Sequence, residues 1–380
     1  MPKWEGGVKI IDYPVQTKLT LIAHREQMTV SPSVIPGQEG TVFIQRTSGS
    51  TGTPLAMPQD TRKRRRRIAE IKYFGKRLGF NTHEKLIHLR TWNQWQSKSL
   101  QQIRKENIVP FDVKRIGEAD LIELCELINK EKAFSLRGYA SCFDRISKVV
   151  RKHGYKFPSL KVIVSTSESL EDDVRAAVKK YMGCEIVSQY ANEECGILAQ
   201  ERVPTKETDN KMYFNWAGYW IEILKIGSDE PAGYGEIGRI VLTDLHNYAF
   251  PVIRYDTGDT CVLLPPDEYS NGYPVMGWLY GRRFDLTYAT DGTPVYPLAY
   301  GRILKNYDCI SLWQFVQIGE KDYSLRLVLS ENDVADLEEI YKKMLDILGQ
   351  DARVSIEQVD DIPVLQSGKR KPVVNNWRNL

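Results

Sequence analysis

Seven consecutive residues, Thr47-Ser48-Gly49-Ser50-Thr51-Gly52-Thr53, are all Ser, Thr or Gly. A segment of this kind can turn its backbone N–H groups inward and add hydroxyl donors, which makes a cradle for phosphate oxygens. The β-prone run Thr41-Val42-Phe43-Ile44 precedes it, Pro54 closes it, and a helix-like segment follows. Strand, small-residue loop and helix in that order form the context such a cradle needs. No G-K-[ST] ends the loop, so it is not a Walker loop. The plainer reading is a flexible Ser/Gly linker; the shortness of the segment and its ordered flanks favour the cradle.

The elements that must position this loop alternate from about residue 41 to 190. Leu86–Leu89, Ala133–Leu136, Leu160–Val164 and Cys184–Val187 read as strands. Between them, Leu121, Leu124, Cys125 and Ile128, then Ile146, Val149 and Val150, then Leu170, Val174, Ala177, Val178 and Tyr181 recur at helical spacing. Ser169, with Asp172 three residues on, reads as an N-cap for the last of these helices. The alternation predicts an α/β fold with a mostly parallel sheet, and ligands of such sheets bind beyond the carboxyl ends of the strands. Three polar segments stand at such ends: 46–54, Ser165-Thr166-Ser167-Glu168, and Gln189-Tyr190-Ala191-Asn192-Glu193-Glu194. If their strands share one sheet, they line one rim. Residues 212–264 read as a β-rich part. The tail reads as strand (313–318), strand (323–329), helix (334–348) and strand (354–359), a small α+β module whose boundary falls near 282–286.

Composition narrows the classes. The chain has 380 residues, a hydrophobic share of 42% and a net charge of +3, as expected of a globular protein with a large and a smaller domain and no polyanionic partner. Cys125, Cys142, Cys184, Cys195, Cys261 and Cys309 form no C-x-x-C pair, which fits a reduced, cytoplasmic chain. No secretory leader and no membrane-spanning run are expected. His24, His83, His88, His153 and His246 lack metal-ligand spacing, so no zinc site is expected. The run Arg62-Lys63-Arg64-Arg65-Arg66-Arg67 opens a helix continued by Ile68, Ile71, Phe74 and Leu78. A solvated helix face is the first reading, contact with an anionic substrate the second, and a nucleic-acid patch the third.

Five segments in register resemble the adenylate-forming superfamily of acyl-CoA synthetases, adenylation domains and luciferases, and within it the phenylacetate–CoA ligase-like branch. They span roughly residues 10–376. Thr47–Pro54 resembles the phosphate loop, Tyr190-Ala191-Asn192-Glu193-Glu194 the Y-G-x-T-E motif, and Arg254-Tyr255-Asp256-Thr257-Gly258-Asp259 the Y-R-T-G-D motif. Gly281-Arg282-Arg283-Phe284-Asp285 resembles the G-R-x-D-D hinge, and Ile362-Pro363 with Ser367-Gly368-Lys369 the I-P…S-G-K motif. The sequence departs from the pattern at Leu55 (usually Lys), Phe284 (usually acidic), Ala191 (Gly) and Glu193 (Thr), and its phosphate loop stands nearer the start than in relatives.

The resemblance implies a large nucleotide- and acid-binding domain (1–281), a hinge (282–286) and a small C-terminal lid (287–380). It implies ATP and Mg²⁺ as cofactors, CoA as co-substrate, and a carboxylic acid as the small-molecule partner, with neither nucleic acid nor membrane; relatives are often dimers. Thr47, Ser48, Gly49, Ser50, Thr51, Gly52 and Thr53 would hold phosphates, with Thr51 also in a catalytic role. Glu194 would hold Mg²⁺. Gln189, Tyr190, Ala191, Asn192, Ser167 and Glu168 would line the adenine side, with the Tyr190 ring on the base. Asp259 would accept the ribose hydroxyls, Arg282 would contact a phosphate or ribose oxygen, and Lys369 would reach the α-phosphate. His88, Trp92, Trp95 and Tyr139, with Phe143 nearby, would wall the acid pocket, and such walls suit an aromatic acid. A second reading is a nucleotide-binding relative with degraded catalysis, acting as carrier or scaffold in a biosynthetic pathway.

Overall fold

The computed structural model describes residues 9–46, 55–92, 98–113, 117–204, 210–282, 286–304, 306–307, 309–329, 335–363 and 372–377. The small-residue loop 47–53, Trp95, Lys369 and the side chain of Arg282 lie outside the described residues. The chain divides into two compact units, the larger taking most residues up to Leu279 and the smaller running from Tyr280.

In the larger unit, β1 (Phe43–Arg46) and β2 (Ala56–Gln59) pair antiparallel as a sheet of their own. The main sheet has 11 strands: β3 (Leu86–Arg90), β4 (Ile108–Asp112), β5 (Ser135–Gly138), β6 (Val162–Thr166), β7 (Glu185–Asn192), β8 (Gly196–Glu201), β9 (Met212–Phe214), β10 (Tyr219–Lys225), β11 (Ile237–Asp244), β12 (Tyr255–Leu264) and β13 (Val275–Arg282). Their order is β10-β11-β12-β13-β9-β8-β7-β6-β5-β3-β4. From β4 to β7 every pairing is parallel, and β7–β8, β8–β9, β9–β13 and β10–β11 are antiparallel. The α/β class read from the alternating pattern is the one the chain adopts, and the β-rich part extends the same sheet.

The parallel half follows from period-two patterning. One face of β3, β5, β6 and β7 presents Ile87, Leu89, Leu136, Ile163 and Ile186, all at 2% exposure or less. Helices Glu118–Lys130 and Ala140–His153 cover that face with Leu121, Leu124, Cys125, Ile128, Phe143, Ile146 and Val150. Burying each large apolar side chain contributes about 1.5–3 kcal/mol. The other face begins apolar, with Val162, Val164 and Val187, and turns polar toward the carboxyl ends, at His88, Arg90, Arg137 and Gln189.

Three sequence expectations are corrected. First, β2 intervenes between the small-residue loop and the helix; β1 belongs to the hairpin, so that loop does not join the main rim through a shared sheet. Pro58 and the short length hid β2 from the pattern. Second, the helix after β6 is Asp172–Ala177, its N-cap is Glu171 rather than Ser169, and a π-helical turn, Val178–Met182, continues it. Third, helix Thr61–Lys76 keeps only part of its apolar stripe inside, with Phe74 and the following Leu78 buried at 2% and 7%. Ile68 and Ile71 are 53% and 54% exposed, while Lys63 and Glu70 are buried at 0% and 3%. Fixed polar partners decide this. The Lys63 ammonium stands 2.6 Å from the Asp244 carboxylate, and Arg66 donates to Glu70 at 2.9 Å. Asp60 caps the helix by accepting from the Lys63 N–H (2.7 Å) and also accepts the Tyr248 and Ala249 N–H groups.

The smaller unit carries a hairpin of β14 (Thr287–Tyr288) and β15 (Pro294–Val295), helix Pro297–Leu304, and a four-stranded sheet of β16 (Ile310–Gln317), β17 (Asp322–Leu329), β18 (Arg353–Gln358) and β19 (Val373–Asn375), ordered β18-β17-β16-β19. Helix Leu337–Leu348 links β17 to its parallel neighbour β18. Asp336 caps this helix, and Gly349 ends it with φ +106°, where a Cβ would meet Thr290 Oγ1. The core stacks Tyr300 on Phe315 (3.9 Å) and Phe315 near Tyr323 (5.6 Å). Buried Gln317 ties three strands together: its side-chain carbonyl oxygen accepts from Tyr288 N–H (2.8 Å) and the Asn375 amide (3.3 Å), and its own amide donates to Tyr288 O.

Candidate active site

The carboxyl ends of β3, β5, β6 and β7 gather His88, Arg90, Trp92, Arg137, Tyr139, Ser167, Glu168, Gln189 and the turn after β7. His88 and Arg137 are cross-strand partners, and Thr166 stands opposite Gln189. The Arg137 guanidinium donates to the Gln189 side-chain carbonyl oxygen, the Gln189 amide donates to Gln200, and Gln200 donates to Phe74 O at 3.1 Å. Burial, and next the Arg90 cation, bring the Arg137 pKa down to about 10. Burial first, then Arg137, Arg90 and Lys98, hold the His88 imidazole well below its ordinary range, so it is neutral at pH 7. The His88 and Trp92 rings meet edge to face at 5.4 Å, and the Trp92 indole donates to Phe111 O. Tyr139 is hydrogen-bonded to the Thr91 backbone, and burial raises its pKa. His88 and Trp92 are in contact, Tyr139 is bonded to the backbone beside them, and Arg90 and Arg137 stand next to these residues.

The polar segment 189–194 is not a loop. Gln189 to Asn192 belong to β7, which turns through Glu193–Cys195 into β8, with a register shift between Tyr190 and Ala191. The Asn192 side-chain oxygen accepts the Cys195 N–H at 2.8 Å and tightens the turn. All three peptide oxygens of the turn accept from side chains. Glu193 O takes Arg67 at 3.2 Å, Glu194 O takes Gln59 at 3.5 Å, and Cys195 O takes the Tyr219 hydroxyl at 2.6 Å. The Tyr219 oxygen in turn accepts from Lys63 at 3.1 Å, the same ammonium that pairs with Asp244. Of the basic run only Lys63 is buried; with half-buried Arg66 and Arg67 it holds Asp244, Glu70 and the turn. On the solvated side of the helix, exposed Arg62 donates to Tyr248, Arg64 lies over Phe43 and Arg65 pairs with Glu39.

The turn presents two carboxylates. Glu194 is 7% exposed; its Oε1 lies 3.4 Å from the Lys18 ammonium and accepts from the Tyr255 hydroxyl at 3.4 Å. Glu193 accepts from Gln45 at 2.6 Å and lies 3.5 Å from Arg90. The Tyr190 ring is buried in the main apolar cluster, and its hydroxyl donates to Thr257 at 3.2 Å. Ser167 is exposed with φ +70°, a left-handed backbone uncommon for serine. The Glu168 carboxylate accepts the Ser141 N–H at 2.9 Å, which seats it at the start of helix Ala140–His153. Asp259 lies partly buried in β12. Arg254 serves the scaffold. It grips Glu222 at 3.1 and 3.2 Å and donates to Ile11 O and Tyr13 O.

Among the described residues, no three His, Cys, Asp or Glu side chains converge on a metal-sized space. A Mg²⁺ carried by nucleotide phosphates needs only one or two protein carboxylates, and Glu194 is compatible with that. The sequence reading missed Lys18, Arg90 and Arg137. A charged residue between Leu136 and Gly138, where the strand is buried on both sides of it, was the available signal for Arg137. All six cysteines are free thiols, and burial raises those of Cys125, Cys142 and Cys184 to about 12. No described helix is long and apolar enough to cross a membrane.

Comparison with known proteins bears on this geometry. Residues 287–376 match the CapK C-terminal domain family. No curated protein matches the sequence. Among solved structures, the chain is similar to 2-hydroxyisobutyryl-CoA ligase in the postadenylation state in complex with R3-HIB-AMP, at 18% identity, a TM-score of 0.73, and coverage of 96% of this chain and 80% of that one. It is also similar to an anthranilate CoA ligase in complex with anthranoyl-AMP (16% identity, TM-score 0.60, 86% and 65% covered). A third is ATP-bound MatB from Rhodopseudomonas palustris (15% identity, TM-score 0.63, 86% and 66% covered). Two of these neighbours are CoA ligases in complex with R3-HIB-AMP and anthranoyl-AMP, the third is ATP-bound, and the chain shares their fold.

Proposed function

We propose that this protein activates a carboxylic acid with ATP and passes the acyl group to CoA. A carboxylate oxygen of the acid attacks the α-phosphorus, the bond from that phosphorus to the bridging oxygen breaks, and pyrophosphate leaves the acyl-adenylate behind. The CoA sulfur then attacks the acyl carbon, losing its proton, and AMP departs. An amine or a sugar hydroxyl in place of CoA would use the same second step. One observation carries the reading. The turn bearing Glu194 stands at the carboxyl rim of the parallel strands and is held at all three of its peptide oxygens, in a fold shared over most of the chain with enzymes crystallised with acyl-adenylates. A turn fixed in advance needs no reorganisation when charge develops.

Within this proposal, residues 47–53 cradle the phosphates, with Thr51 donating to them, and Asp259 and Arg282 hold the ribose and phosphate oxygens. Gln189, Tyr190, Ala191, Asn192, Ser167 and Glu168 flank the base. Tyr190 does so through its hydroxyl edge, because its ring is packed in the core. Mg²⁺, held by Glu194 and the nucleotide, would offset phosphate charge. Residues 1–281 form the substrate-binding part and 287–380 a lid that brings Lys369 to the α-phosphate and turns at 282–286. Orientation of the two substrates supplies much of the acceleration. ATP–pyrophosphate exchange over a panel of aryl and alkyl acids tests the proposal. Acid-dependent exchange that is lost in Lys369→Ala is expected, and no exchange with any acid would refute it.

The second reading, a nucleotide-binding relative without catalysis, draws on the Lys18–Glu194 pair at 3.4 Å and on buried Leu55. It predicts nucleotide binding without exchange.

A further inference from the structure

The wall expected to be aromatic also carries two arginines. Arg137 stands in β5 beside His88, and Arg90 ends β3. Facing them, the carboxylate at hand is Glu193, 3.5 Å from Arg90 and also held by Gln45. Lys98, the third cation felt by His88, is paired with Glu106. Gln189, the hydrogen-bond acceptor for Arg137, is neutral. His88 is kept neutral, so it neither adds charge nor neutralises any. Glu193 thus pairs with Arg90, and Arg137 has a neutral acceptor in Gln189. The Arg90 Nε–H is also buried without a hydrogen-bond partner among the described residues. A buried donor without an acceptor is costly unless an anion completes it. The site is open to a ligand, since the Arg90 and Glu193 side chains are 25% and 34% exposed. An arginine pair suits a planar or tetrahedral oxyanion, which it can grip through two parallel N–H donors.

Resting on the acid-activation reading, we propose that the acid substrate carries a second anionic group, a carboxylate or phosphate, which docks on Arg90 and Arg137 while its other carboxylate is activated. Trp92 and Tyr139 then flank a short connecting segment rather than enclose an aromatic ring. The proposal selects dicarboxylates and phosphorylated acids over benzoate-like or fatty acids.

The test measures ATP–pyrophosphate exchange with matched acids that differ only in a terminal methyl or a terminal carboxylate, such as pentanoate with glutarate and 4-methylbenzoate with terephthalate, together with phosphorylated hydroxy acids. The wild type is expected to show a KM at least about tenfold lower for the dianionic member of a pair. Arg90→Gln and Arg137→Gln are each expected to erase that preference by raising the KM of the dianionic acid about tenfold relative to its methyl-terminated partner. Circular-dichroism melting shows that each variant is folded, and Arg90→Gln, at the more open position, serves if Arg137→Gln is not. Equal or better use of the methyl-terminated acids would overturn the proposal. So would variants that keep the wild-type preference for the dianionic acid. Absence of exchange with every acid while AMP still binds counts against the ligase reading alone. In that case the melting shift decides: glutarate or a phosphorylated acid stabilising wild type but not Arg90→Gln supports the anion site, and equal shifts refute it.

Discussion

The Lys63→Met substitution tests how the basic helix serves the turn. The Lys63 ammonium and the Asp244 carboxylate are 2.6 Å apart, both side chains have no exposure, and the ammonium also donates to Tyr219 at 3.1 Å. Methionine fills nearly the same volume without the charge. Asp244 would keep one donor, the His246 N–H at 2.9 Å, and remain a buried anion without its cation. Breaking a buried pair from one side costs about 3–5 kcal/mol, whereas replacing both partners with apolar groups is often close to neutral. Urea unfolding followed by circular dichroism should therefore place Lys63→Met about 3–5 kcal/mol below wild type and recover most of the loss in Lys63→Met/Asp244→Leu. Because Tyr219 would lose one of its two anchors, acid-dependent exchange should fall in the single variant at temperatures where it is folded. A single variant within about 1 kcal/mol of wild type, or a double variant no more stable than the single, would refute the reasoning.

Other expectations follow from the same geometry. Tyr219→Phe removes the donor to Cys195 O and should cost about 1–3 kcal/mol. Its loss of acid-dependent exchange should persist well below the melting temperature, where a change of stability alone leaves the population folded. His88 is held well below its ordinary pKa by burial and then by Arg137, Arg90 and Lys98. The unfolded chain takes up a proton near pH 6.5 that the folded chain refuses, so stability falls as pH drops below that point, by up to about 1.4 kcal/mol per unit until the folded pKa is reached. His88→Asn should remove that slope, and identical pH profiles for the two proteins would contradict the assignment. Gln317→Leu strands Tyr288 N–H and removes one of the acceptors of the Asn375 amide and should lower the stability of the smaller unit by about 1–3 kcal/mol in urea unfolding.

The parallel half was legible because its signals are local. Leu86–Leu89, Ala133–Leu136, Leu160–Val164 and Cys184–Val187 alternate or run apolar, and the helices between them keep a regular stripe, so each strand begins within two residues of its expected place. Helix Thr61–Lys76 was legible as a helix, and its apolar spacing found the buried face at Phe74 but not at Ile68 and Ile71. Lys63 helps to choose its buried face through Asp244, a partner far along the chain, and a burial scale sees only a lysine that belongs in water. The motif Tyr190–Glu194 was visible as chemistry, but its hairpin shape depends on pairing with β8. Arg254 looked like part of a ligand motif and proves to hold Glu222 and the N-terminal segment, a role set by contacts that no local pattern encodes. Arg90 and Arg137 passed unremarked because each is ordinary alone; only the β3–β5 pairing makes them neighbours of His88.

The central claim concerns which phosphorus atom is attacked, and product analysis answers it directly. With ATP, Mg²⁺ and an accepted acid but no acyl acceptor, mass spectrometry of the quenched reaction should find pyrophosphate and an acyl ester of AMP in amounts close to that of the protein. Formation of ADP and inorganic phosphate, or recovery of unchanged ATP with every acid offered, would contradict the account.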